Sequence, residues 1–471
     1  MDSADACNPC LLSCSIQVAR LSMAWRWSTQ STAGLAPAPR GNYASALVDN
    51  ELFIAGGWDG ETGFGDAFAL SLDTLRWRTL AVRPTPSSAK LDGRIFFASA
   101  AIASTLFIHG GTEATNLAIG KDDMLALDLD SGLLRRVETE GTAPVRNRHT
   151  MLARGSELWL FGGQIPASRG ARFVSDVYRI DMSDWLSGEV PPAWEGLATD
   201  GFVPHARGHA CLVALPPPRP YLVAIGGGDG EADYADAYAL NLHSNYWQRL
   251  TNLSETPVAL TQTACTLVTF PPPRYATSSS ATLGVITLGG FGGASTNRSE
   301  HSRLVDSFAV HLGPDTRAQA WRWASVRASG ALPTVRMGHT LLAINGSAVI
   351  TFGGSSVGRY LNDVVIGAPN RLHTHAHAAE AEADAQEQRA LEDAGGGDGE
   401  VGEDADVREA SFEEGYAKRM YDHEQKEEGG GGVEEEEEDV VVVSTRRTAD
   451  KKKARRRKRK ARGGGAGKDE L

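Results

Sequence analysis

Six times in this chain a short apolar run ends in two adjacent glycines. The run Leu52-Phe53-Ile54-Ala55 closes on Gly56 and Gly57. It returns as Phe107-Ile108-His109 before Gly110 and Gly111, and as Leu160-Phe161 before Gly162 and Gly163. Ala224-Ile225 precedes Gly226 and Gly227, Thr287-Leu288 precedes Gly289 and Gly290, and Thr351-Phe352 precedes Gly353 and Gly354. Successive pairs lie 54, 52, 64, 63 and 64 residues apart. An interval of that length, filled with short β-prone runs and no helical period, marks a radially repeated β fold.

Aligned on the double glycine, three further features fall into register. A β-prone run precedes it, as in Tyr43 to Val48 and His339 to Leu342. An aspartate-led run follows: Asp66-Ala67-Phe68-Ala69-Leu70, with counterparts at Asp123, Asp176, Asp236, Asp306 and Asp363. A later strand carries Trp77, Trp194, Trp247 or Trp323, with Leu134 in that place in the second copy. Four strands per copy make one twisted blade. The glycines end the second strand where a missing Cβ permits close approach near a crowded axis. The tryptophans fill the widening gap between blades.

These residues resemble the kelch repeat and its β-propeller over residues 25–368. The resemblance implies an all-β, six-bladed ring. The second copy departs by lacking its tryptophan, and the fifth by lacking an Arg/His turn before its first strand. Ala24-Trp25-Arg26-Trp27-Ser28 matches Ala320-Trp321-Arg322-Trp323-Ala324, and the sixth copy stops after Asp363-Val364-Val365-Ile366. The N-terminal strand is therefore expected to complete the sixth blade, removing two exposed edges. The expected organisation is a disordered leader over 1–23, the ring over 24–368, an acidic, partly helical or disordered segment over 369–440 and a basic one over 441–471. The segments after the ring offer little apolar surface to offset ordering, so disorder is expected there.

Charge follows that division. The chain carries a net charge of −12, of which residues 371–440 contribute −18 and residues 441–471 contribute +10, leaving the body near neutral. With no basic surplus in the body, nucleic acid is not an expected partner. No run of 18 apolar residues occurs, so membrane insertion is not expected. Cys7, Cys10 and Cys14 crowd the leader, where a zinc site needs a fourth ligand from elsewhere. Only Cys211 and Cys265 lie in the body, so no disulfide framework is expected, in keeping with a reducing compartment.

For function, no nucleophile elbow, zinc helix or phosphate loop appears in the ring. The reading is a protein- or peptide-binding scaffold without catalysis, cofactor or metal. The alternative implied by the resemblance is a metal-dependent propeller enzyme akin to galactose oxidase or nitrile-specifier proteins. Loops joining strands two and three, and those leading into the next first strand, share one face. Trp58, Asp59, Gln164, Asp229 and Phe291 follow the double glycines there, and Arg40, Arg146, Arg207 and Arg336 precede first strands. Aromatic and arginine side chains around a concave mouth suit a protein partner. The same arginines equally suit a structural task, pinning neighbouring loops.

Two address signals disagree. Lys451 to Lys460 holds nine positive charges in ten residues and resembles a signal for a nuclear import receptor, whereas Lys468-Asp469-Glu470-Leu471 spells the endoplasmic reticulum retrieval sequence. The leader is acidic and interrupted by polar residues, so nucleus or cytoplasm is the expectation. The reticulum lumen is the alternative if a signal peptide precedes this start.

Overall fold

The computed structural model describes residues 23–369 apart from 86–89, 92, 114–115, 142–143, 168–169, 189, 251–260, 271–281, 291–307, 313–320 and 357. All of these lie in the first of two compact units, Met1–Glu427. The leader cysteines, Phe291, Pro271 to Pro273, and the acidic and basic segments fall outside the described residues.

The first copy shows how its sequence becomes a sheet. Strands Ala44–Val48, Glu51–Ala55, Ala67–Ser71 and Arg76–Leu80 pair in sequence order as an antiparallel meander. Alternate side chains of a strand point to opposite faces. Here both faces are covered, so the second strand is a continuous apolar run instead of an alternating one. Leu52 and Ile54 enter the cluster shared with the sixth copy, while Phe53 and Ala55 enter the cluster shared with the second. Phe68 and Leu70 divide from Ala67 and Ala69 in the same way. Among the described residues the core falls into six such clusters, each lying between two successive copies.

The tryptophans sit at these junctions. Trp77 packs on Phe352 of the sixth copy with ring centroids 5.3 Å apart. Trp247 packs on Phe161 of the third at 5.5 Å, and Trp194 on His109 of the second at 5.0 Å. In each case the partner is the residue just before the double glycine of the preceding copy. Leu134, at the tryptophan position of the second copy, is also buried. The third copy is elaborated. Its strands Glu157–Ala167 and Gly170–Asp181 run on past the double glycine as a long hairpin, with a register shift between Phe161 and Gly163. A short helix, Ser183–Ser187, follows, and its Trp185 lies 5.5 Å from Phe107.

The sheet count differs from the expectation of six. The described strands form five sheets of four or more strands, and one of these has eight. That sheet joins two antiparallel quartets. The fifth copy supplies Ala264–Phe270, Thr282–Leu288, Phe308–Leu312 and Trp321–Gly330. The sixth supplies Thr340–Ile344, Ala348–Phe352 and Val364–Pro369, completed by the N-terminal strand Met23–Gln30. Met23–Gln30 pairs antiparallel with Val364–Pro369 and parallel with the end of Trp321–Gly330, and the parallel contact fuses the two quartets. The N-terminal segment thus pairs with the last strand of the ring.

A second division of expectation from structure concerns the cysteines. Cys211 and Cys265 are disulfide-bonded across the innermost strands of the fourth and fifth copies, with Cα atoms 5.9 Å apart. The first strands of adjacent copies lie side by side at this depth, with a one-residue offset, which brings together two residues 54 apart in sequence.

Trp27 is buried between the fifth and sixth copies. Trp27→Ala should destabilise the protein by about 3–5 kcal/mol, whereas Arg26→Ala, on the exposed face of the same strand, should stay within about 0.5 kcal/mol. Urea unfolding of the two variants checks this, and equal midpoints would contradict the placement of the N-terminal strand.

Candidate functional site

The face built by the double-glycine loops is organised from below by arginine. Arg40, Arg94, Arg146, Arg207 and Arg336 are each at most 2% exposed. Each guanidinium forks onto the aspartate that leads the third strand of its own copy: Asp66, Asp123, Asp176, Asp236 and Asp363 respectively. The same Nη1 donates to the carbonyl of the first glycine of the pair, at 2.8–3.0 Å, in every one of the five. A planar guanidinium with five fixed donors suits this simultaneous grip on a carboxylate and a carbonyl. Aromatic rings cover several of them, with Phe64 4.0 Å from Arg40 and Tyr234 4.2 Å from Arg207. At Asp123 burial pushes the carboxyl upward, but the Arg94 fork outweighs it and holds the acid below its ordinary range.

The arginine main chain then reaches the neighbouring copy. The amide of the second glycine donates to the arginine carbonyl of the next copy: Gly111 to Arg146, Gly163 to Arg207, Gly290 to Arg336 and Gly354 to Arg40, all at 2.8–2.9 Å. The last of these links the sixth copy to the first. A Cβ on Gly163 would lie 2.6 Å from the carbonyl oxygen of Asn147, and φ is +96° there, so only glycine meets both demands.

Two residues after each arginine the backbone turns left-handed. Asn42, Phe96, Arg148, His209 and Gly338 occupy that position, and Gln262 occupies it in the fifth copy; their φ values lie between +52° and +60°. Main-chain bonds run from one to the next: Arg148 to Phe96, His209 to Arg148 and Asn42 to Gly338. This collar rims a cavity of about 240 Å³ lined by Asn42, Ser99, His149, His209, Gln262 and His339 among others, with every copy contributing. Below the rim, His109 and His149 face each other at 3.1 Å. Burial pushes His109, His209 and His339 down to about 3, with the charges of Arg146, Arg148 and Arg336 respectively adding to it. Burial likewise lowers His149. The cavity wall therefore combines uncharged imidazole, amide and hydroxyl groups with apolar surface from Phe97, Ala98, Met151 and Ala210. Among the described residues no group of three or more His, Cys, Asp or Glu is placed to hold a metal ion.

This geometry corrects much of the face expected from sequence. Arg40, Arg146, Arg207 and Arg336 take the structural task and are not surface groups, because they are buried with their charges paired to aspartates of their own copies. Arg94 is a fifth member of that set which the sequence reading missed. Asp59 and Asp229 cap the matching turns in the first and fourth copies, each accepting two backbone amides through Oδ1. Tyr234 also donates to Asp229, at 2.6 Å. Gln164 accepts from Arg148 at 2.6 Å. Trp58 stays half-buried, edge-on to Tyr360 of the sixth copy at 6.1 Å. Phe291 lies outside the described residues. The recurring aspartates 66, 123, 176, 236 and 363 are structural, each holding the arginine of its own copy. The missed rim residues were signalled only by their place two after the arginine.

Comparison with known proteins agrees with the repeat. Residues 83–269 match the KLHDC2/KLHL20/DRC7 Kelch-repeats domain, and residues 39–81 match the Kelch motif. The chain is 28% identical over 257 residues to serine/threonine-protein phosphatase BSL2 of Arabidopsis thaliana, covering 54% of this chain and 22% of that protein. It is 25% identical over 348 residues to Adagio-like protein 3 of Oryza sativa subsp. japonica, covering 70% and 48%. It is 24% identical over 245 residues to Kelch domain-containing protein 10 of Rattus norvegicus, covering 49% and 55%. The chain thus spans between about a fifth and about half the length of these relatives.

Two outcomes follow. Arg146→Ala leaves Asp176 and the Gly162 carbonyl without their donor and should cost about 3–5 kcal/mol, against under about 1 kcal/mol for Trp58→Ala; chemical denaturation of both variants measures the difference. The buried histidines are neutral in the folded state and take up protons on unfolding. Stability is therefore full above pH 6.5 and is lost as pH falls from there towards 3, by roughly 2 kcal/mol per histidine at pH 5. A urea midpoint that did not move between pH 7.5 and pH 5 would show these histidines already charged in the fold.

Proposed function

Because this chain belongs to the kelch-repeat family, we propose that it is a protein-interaction scaffold whose axial mouth takes a protein or peptide segment. One observation carries the reading. The copies repeat the residues that build the ring and differ at those that face its axis. Arginine, aspartate and the double glycine recur, whereas the collar position holds Asn42, Phe96, Arg148, His209, Gln262 and Gly338, six different residues in six copies. A ring whose only task was to hold itself together would have no reason to vary that position in every copy.

The chemistry of the mouth suggests the kind of segment. Amide, hydroxyl and neutral imidazole groups both donate and accept hydrogen bonds, so the cavity suits an uncharged polar group of the partner. Burying a charge there without an opposite charge in the wall would cost several kcal/mol. Trp58, half-buried beside the mouth, offers stacking area for a flanking residue.

This reading counts the eight-stranded sheet as two blades of a six-fold ring running from Met23 to Pro369. The six junction clusters and the six left-handed collar residues support that count. A triple variant, Trp58→Ala, His209→Asn and Gln262→Asn, keeps residues tolerant of a left-handed backbone in the collar. It should melt within about 2 °C of the parent yet bind a partner recovered with the parent at least about tenfold more weakly. Unchanged binding would move the site away from the mouth.

A further inference from the structure

The fifth copy differs from the other five at the arginine position. Two residues before the left-handed Gln262, where the other copies have arginine, the sequence has Leu260, so the guanidinium grip on an aspartate and a glycine carbonyl cannot form there. The disulfide lies at this same copy. Cys211 is four residues after Arg207, and Cys265 stands five residues after Leu260. Those two register positions meet again across the junction of the sixth and first copies. There Thr340, four after Arg336, and Ser45, five after Arg40, share a hydrogen bond of 2.7 Å between hydroxyls. The ring thus brings the same two positions together at both junctions, and at the fourth and fifth copies it joins them covalently.

We propose that the Cys211–Cys265 disulfide replaces the missing arginine grip, and that its oxidation state decides whether the fifth copy is held in the ring. Both cysteines belong to the apolar cluster between the fourth and fifth copies, alongside Val213, Ile225 and Val285. Cys211 is 2% exposed and Cys265 partly buried, so the bond forms as the strands come together. Formation is thiol–disulfide exchange. The two thiols give up two protons and two electrons to the disulfide of a dithiol oxidoreductase or of oxidised glutathione, which leaves as two thiols. The consequence reaches the cavity, because His209 and Ala210 precede Cys211, and Gln262 and Thr263 lie within three residues of Cys265. Such a bond persists in an oxidising compartment and is lost in a reducing one. It therefore favours the alternative address, the reticulum lumen, over nucleus or cytoplasm.

The test compares the full chain oxidised, reduced by a dithiol under mild conditions, and as the Cys211→Ala/Cys265→Ala variant. Peptide mapping without reductant should recover the Cys211–Cys265 pair. Reduction should lower the melting temperature by about 5–10 °C, and the variant should lose this sensitivity. Amide exchange should rise at least about tenfold in strands 264–270 and 282–288 on reduction, while strands 51–55 of the first copy change little. Two free thiols in protein refolded with an oxidising glutathione buffer would overturn the proposal. Exchange that rose equally in the first and fifth copies, or did not rise, would overturn it too.

Discussion

An arginine without solvent is a liability unless its charge is paired, and this ring is organised around pairing one with an aspartate five times. The side chain closes its own copy by joining the second strand's glycine to the third strand's aspartate. The main chain of the same residue receives the glycine amide of the copy before it. One residue thereby sets both the shape of a blade and its distance from its neighbour. Where geometry allows, the grip is completed by Nε donating two residues back, to Ala38, His205 and Thr334. The double glycine and the left-handed turn two residues on stand next to that group in every one of the five copies.

Much of this was legible in the residues. Apolar runs closed by paired glycines located the second strands, and the tryptophan match between the two ends located the strand that pairs with Val364–Pro369. The arginine burial was not legible, because arginine is among the residues most often left in water. Nothing in a stretch such as Arg207-Gly208-His209 reveals an aspartate 29 residues later as its partner. Arg94 was harder still, since Ile95 and Phe96 follow it instead of the small or polar residues seen in other copies. The disulfide escaped for a related reason. Two cysteines suggest no framework when counted, yet both fall in the first strands of adjacent copies, four residues after Arg207 and three after Gln262, and that was the available signal.

The loops that follow the double glycines were legible in position and not in content. The sequence located the loops near the mouth but could not separate residues that look outward from those that brace the loop from inside. Asp59 and Asp229 illustrate the difficulty, for a carboxylate that caps a turn and one that meets a ligand have the same signature in sequence. Only the main-chain amides of Glu61, Thr62, Glu231 and Ala232 turning towards them decide it.

The strand Met23–Gln30 has a consequence for how the protein is made. It belongs to the earliest part of the described chain to leave the ribosome, and its antiparallel partner Val364–Pro369 is the latest. At roughly 5–20 residues per second, the interval between them is on the order of tens of seconds. Throughout that time Trp25 and Trp27, buried in the finished ring, have no sheet to enter. The nascent chain must carry an unsatisfied aromatic strand at one end while the other copies assemble. It also has no closed state to fall into until synthesis has passed the last double glycine. Ring closure here is therefore a late event timed by translation, and the first strand is a natural point for a chaperone to hold.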